Sequence, residues 1–118
     1  MEVTMGIFSK VFKHWTKSKN PNSPRFRRDM AEKLAGKYIQ YVTENINGVD
    51  EVIGRRGSIN IHEDEIIFYA SAEIILRTRI EDMSAWELLS NDGCVVTAPD
   101  LNRDGEERTI VVHYTRLT

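Results

Sequence analysis

Residues 24–48, "PRFRRDMAEKLAGKYIQYVTENING", decide how the chain is divided between helix and sheet. Apolar residues recur at every fourth position, at Phe26, Met30, Leu34, Tyr38, Val42 and Ile46. Steps of four drift slowly around a helix, and Ala31, Ala35, Ile39 and Tyr41 widen the stripe. Ser23 before Pro24 is a good N-cap followed by proline at the first helical position. Asn47-Gly48 fits a C-terminal stop. The pattern predicts one helix over 24–47, about 35 Å long. Gly36 would weaken it slightly and permit close packing against a neighbour.

Downstream of Gly57 the period changes from 3.6 to 2. "SINIH" and "EIIFYA" flank a polar turn at Glu63 and Asp64 and read as a hairpin. In 73–81, Ile74, Leu76, Thr78 and Ile80 alternate with Ile75, Arg77 and Arg79, so one face is expected to be buried and the other wet. "CVVTA" and "RTIVVHYTRL" are β-branched strands, with "NDG" at 91–93 as a hairpin turn. Residues 84–90, "SAWELLS", admit two readings. Ser84 with Glu87 makes a capping box, which favours a helix. The direct lead into "NDG" favours a strand, and strand is the expectation adopted.

Upstream, residues 5–20 read "MGIFSKVFKHWTKSKN". At about 100° per residue, Ile7, Phe8, Val11, Phe12 and Trp15 fall within one arc of about 140°. Lys10, Lys13 and Lys17 take the other side. The expected organisation is a basic amphipathic arm over 1–17, a linker over 18–24 and a single α+β domain over 24–118. In that domain a long helix would cover a strongly bent antiparallel sheet of five or six strands, spanning 57–117.

Composition narrows the class. The chain has 118 residues, 41 % hydrophobic and 29 % charged, enough for one core without disulfide or metal. Cys94 is the only cysteine, so no intramolecular disulfide can form and a reducing, cytoplasmic setting is expected. Lysines interrupt the apolar residues of the first segment, so a secretory signal is not expected. "MGIFSK" does not fit the myristoylation pattern, because Lys10 stands where Ser or Thr is required and four residues precede Met5. The net charge of −2 hides an asymmetry. Residues 1–28 carry seven Lys or Arg against one acid, a net +6, and the rest carries nine against 17, a net −8. A basic arm on an acidic body implies an anionic partner, or contact between arm and body.

Motifs for chemistry are sparse. "DLNRDG" places Asp100, Asn102, Asp104 and Gly105 on the first half of a calcium loop, D-x-[DN]-x-[DN]-G. The second half fails: Val111 stands where a bidentate Glu is needed, and Glu107 where an apolar residue is. "IHEDEI" lacks the second histidine of a zinc-protease motif, since Ile66 is there. A Cys94 nucleophile would need a neighbouring base and a depressed pKa, and its place at the head of an apolar strand suits a buried small residue. Arg55 and Arg56 in "IGRRG" open a strand and match no phosphate loop. Arg77 and Arg79 have acidic neighbours that can pair with them across strands. An enzyme would need convergent polar groups such as His62, His113 or Glu87 in one pocket. No nucleic-acid fold signature occurs.

From "GSINIHEDEIIFY" through "EIILRTRIEDMSAWELLSNDGCVVTAPD" to "RTIVVHY", residues 57–117 resemble a bacterial pleckstrin-homology-like domain. The resemblance implies a small bent antiparallel barrel closed at one end by a helix, binding phospholipids, peptides or proteins without catalysis. This chain departs from that pattern in placing its helix first. It also puts "HEDE" where the family's basic cluster between the first two strands would lie, which argues against inositol phosphate. The expected role is therefore a non-catalytic interaction module without cofactor. A protein partner or self-association comes first, with the arm (Ile7, Phe8, Val11, Phe12, Trp15, Lys10, Lys13 and Lys17) as the contact. Peripheral attachment of that arm to an anionic membrane is the alternative. A small enzyme or a calcium-binding protein comes last, and nucleic acid is not expected.

Overall fold

A computed structural model describes residues 23–115. The order is α1 (Pro24–Leu34), β1 (Tyr38–Ile46), β2 (Val49–His62), β3 (Glu65–Ala70), β4 (Glu73–Arg79), β5 (Ser84–Glu87), β6 (Gly93–Asp100) and β7 (Glu106–Tyr114). Short 3₁₀ turns, Ile80–Asp82 and Leu101–Arg103, follow β4 and β6. All seven strands join one antiparallel sheet in the order β4-β3-β2-β1-β7-β6-β5. The protein is mostly β. This overturns the α+β expectation of a long helix over 24–47 and a five- or six-stranded sheet confined to 57–117.

The first half of the expected helix exists. Ser23 Oγ accepts from the Phe26 amide at 3.1 Å, and Pro24 opens the first turn. The second half does not, because Gly36 ends the helix. Its φ of +86° is the left-handed conformation of a helix terminator. The Gly36 amide donates to Ile59 O at 2.8 Å, and the Ile59 amide donates to Lys37 O at 3.1 Å, which staples the helix end to β2. Beyond it, Tyr38, Ile39, Tyr41, Val42, Thr43 and Ile46 fill six of nine positions with β-branched or aromatic side chains. Asn47 and Gly48, at φ +54° and +85°, form a two-residue hairpin turn rather than a helix stop. At 84–87 the structure has a strand, as the lead into "NDG" suggested.

Two close approaches set the curl. A Cβ on Gly57 would lie 1.6 Å from Tyr69 O, and one on Gly54 would lie 2.7 Å from the Ala70 Cβ. Only glycine lets β2 cross β3 this tightly. The sheet bends until β4 nears the end of β6. Side chains, not strand pairing, make that closure. Arg108 Nη1 donates to Ile75 O at 2.6 Å, and Asp100 Oδ1 accepts from the Arg77 amide at 3.4 Å. The outward backbone groups of an edge strand are thus occupied from within, which blunts it as a template for aggregation.

Met30, Ala31 and Leu34 of α1 plug the mouth of the curled sheet against Ile39, Val42, Ile59, Phe68, Leu76 and Met83. Phe68, Ile59 and Leu76 are fully buried. Each such side chain contributes about 1.5–3 kcal/mol.

Candidate functional site

The concave face holds the core, and the register shows what the convex face carries. Trp86 pairs with Val95, Val95 with Val111, Val111 with Thr43, and Thr43 with Val52. Directly paired residues share a face, so these five form one row across β5, β6, β7, β1 and β2. Their chain neighbours Ala85, Cys94, Val96, Ile110, Val112 and Val42 point the opposite way, into the core. In the next row His113 and Tyr41 stack with ring centroids 4.2 Å apart and 15° between planes. On the other flank Thr97 and Thr109 share a hydroxyl hydrogen bond of 2.9 Å. A wet antiparallel face carries polar side chains throughout; this one has an apolar centre. The described residues offer it no second layer, since the one helix is used at the sheet's mouth.

Sequence reading missed this row, because cross-strand register cannot be read from one strand. A signal was present. "CVV" and "IVV" in β6 and β7 are apolar on both alternating phases, the mark of a strand covered on both faces.

The calcium candidates are separated. Asp100 is 1 % exposed. Its Oδ2 accepts from Arg108 Nη1 at 2.8 Å, and its Oδ1 accepts from the Asn102 amide at 3.0 Å. Asn102 and Asp104 are exposed, and Asp104 is a turn residue at φ +55°. Asp100 serves a buried ion cluster. Arg108 Nε and Nη2 also fork onto Glu44 at 3.1 and 2.7 Å. The hydrogen bonds to Glu44 raise the Arg108 pKa most, burial opposes, and Asp100 adds to the rise. Among the described residues no group of three or more His, Cys, Asp or Glu could hold a metal ion.

Cys94 is fully buried, and burial pushes its thiol up to about 12 against a partial counter-effect from the Tyr114 hydroxyl. Burial likewise raises Tyr114, whose hydroxyl has no oxygen or nitrogen partner among the described residues. Both groups stay protonated near neutrality, so neither is a ready nucleophile. Nearby, a surface pocket of about 460 Å³ opens between the α1–β1 turn, the β5–β6 loop and the end of β7. Lys37 Nζ stands 4.7 Å from the Tyr114 ring centroid, a cation–π contact that occupies its charge.

His62 ends β2, whereas His113 lies beside Tyr41, which pairs with Arg55 in the middle of that strand. Seven residues of strand separate them, roughly 23 Å. Glu87 pairs with Cys94 on the core-facing phase of β5 and binds Lys33 at 2.8 Å. The structure does not gather the three. Arg55 and Arg56 are exposed at the bend of β2. Arg77 meets Glu65 at 3.3 Å, and Arg79 meets Glu81 at 2.7 Å and Asp64 at 3.5 Å, the acidic neighbours expected of them.

The arm residues Ile7, Phe8, Lys10, Val11, Phe12, Lys13, Trp15 and Lys17 lie outside the described residues. No helix among the described residues is long and apolar enough to cross a membrane. No protein-family model, curated protein or solved structure matches the chain.

Proposed function

We propose that this chain is a non-catalytic interaction module. The curled sheet is a rigid frame, and the convex face of β5, β6, β7 and β1 is the surface that receives an apolar helical face. One observation carries this reading: the row Trp86–Val95–Val111–Thr43–Val52 puts an apolar centre on a sheet face that alternation would otherwise make polar. The buried, protonated Cys94 and Tyr114 and the scattered histidines favour binding over catalysis. The resemblance of 57–117 to pleckstrin-homology-like domains, which bind ligands and partners without catalysis, points the same way.

A benzophenone photo-crosslinking residue in place of Val111 or Val95 tests the reading on purified protein. Glu32, exposed on α1 and outside the sheet, supplies the control position. A contact face gives protein crosslinks at 111 and 95 several-fold above those at 32. Equal yields at all three positions would show that water alone covers the face, and would end the proposal.

A further inference from the structure

We infer that the occupant of this convex face is the chain's own residues 6–17, on the footing that the face is a contact surface. Tether, length, charge and effective concentration each support this.

The tether begins at the right edge. Arg27 Nη1 donates to Glu81 O, which ties the first turn of α1 to the connection that enters β5 at Ser84. Ser23, where the described chain starts, is one helical turn from Arg27, whose amide donates to Ser23 O at 3.1 Å. Residues 18–22 then span at most about 17 Å, enough to return alongside β5.

The dimensions agree. Trp86 to Thr43 crosses three strand spacings, about 14 Å. Ile7 to Trp15, if helical, spans eight residue rises, about 12 Å. The apolar arc is thus about as long as the part of the row on β5, β6, β7 and β1.

The charges agree as well. Residues 6–17 hold Lys10, Lys13 and Lys17 and no acid. The same face carries the exposed Asp50, two residues from Val52, and the exposed Glu107, four residues from Val111. Apolar side chains would meet the sheet centre while lysines reach these carboxylates.

A second copy could offer the same segment. A linker of five residues, however, sets an effective concentration of order millimolar, which outcompetes a free copy at micromolar concentration. An isolated helix of about 12 residues is marginal in water, so a segment of this length needs a surface on which to pack.

Hydrogen–deuterium exchange on the full chain tests this. Amides of 6–17 should exchange at least ten-fold more slowly than in the Phe8→Glu/Phe12→Glu variant, equally at ~100 µM and ~1 µM. Val111→Lys should abolish that protection, with Val95→Lys as the second variant if the first does not fold. Protection of Val96 and Ile110 in each variant shows that the sheet is intact. Protection that fades on dilution assigns the face to a second copy, which overturns docking in cis and leaves the contact-face reading standing. Protection that survives both sheet variants places the arm elsewhere and overturns the inference. Absence of protection overturns it too, and crosslinking at 111 then judges the contact face separately. Protection that appears only with phosphatidylserine vesicles, with no crosslinks at 111, overturns both in favour of membrane attachment.

Discussion

Replacing Arg108 by methionine keeps the stem and removes the guanidinium from the ion cluster. Arg108 is 5 % exposed and satisfies Glu44, Asp100 and Ile75 O together. Removing one partner of a buried pair costs about 3–5 kcal/mol, mostly because the charge left behind has no partner. Asp100, with a side chain 2 % exposed, bears that penalty nearly in full. Glu44, at 17 %, keeps some water and must be discounted. The lower half of the range follows, about 3–4 kcal/mol. A domain of this size has about 5–14 kcal/mol in total, so the variant should still fold. Equilibrium urea unfolding should show a lower midpoint with an unchanged slope. Exchange of the Arg77 amide should rise disproportionately, because Asp100 would lose its anchor. Arg108→Lys, which keeps the charge and loses the fork, should fall between the two. The deficit should persist toward alkaline pH: the folded-state pKa is raised above the ordinary arginine value, so the arginine's contribution disappears only beyond it. A loss below about 1 kcal/mol for Arg108→Met would refute the view that this cluster closes the sheet.

Three further outcomes follow from backbone and burial. Ala72 sits at φ +61° in the β3–β4 turn, and Ser71 Oγ accepts from the Arg55 amide at 2.9 Å, so Ala72→Gly should relieve strain without losing that bond. The left-handed penalty of about 1–2 kcal/mol, less the added chain entropy, leaves a gain of roughly 0.5–1 kcal/mol, read as a higher urea midpoint. Gly57→Ala should destabilise by at least about 3 kcal/mol or prevent folding, because its Cβ would fall 1.6 Å from Tyr69 O; a near-native melting temperature would contradict the crossing of β2 and β3. Cys94 should resist alkylation at pH 8 until the chain unfolds. Its folded pKa of about 12 exceeds the ordinary 9.0, so its contribution is complete below pH 9 and is lost as pH rises toward 12. The thiol should add about 1.4 kcal/mol per pH unit to the slope, and Cys94→Ala should remove that increment.

Why 24–48 reads as helix and folds as helix plus strand is a matter of arithmetic. Phe26, Met30, Leu34, Tyr38, Val42 and Ile46 stand four apart, and four is both about one helical turn and two strand repeats. Spacing alone could not separate the two. Composition could: Met30 to Leu34 are helix formers, whereas Tyr38 to Ile46 are mostly β-branched and aromatic, with Gly36 at the change. Asn47-Gly48 is the strongest short hairpin signal in the chain once a strand precedes it. A bulge in β1 between Ile39 and Tyr41 also breaks its alternation, since Ile39 and Val42 are both buried. The Ser23 cap, the hairpin at Glu63–Asp64 and the strands after it were legible because each is local. The row from Trp86 to Val52 and the cluster around Arg108 were not, because both depend on partners tens of residues away.

The Arg108 cluster also orders events along the folding route. Its hydrogen bonds reach back 33 residues to Ile75 and 64 to Glu44, whereas each hairpin closes over a short loop. Distant contacts form only after chain entropy has been reduced by nearer ones. The cluster therefore acts as a latch, thrown after both halves of the sheet exist. Weakening it should speed unfolding far more than it slows folding.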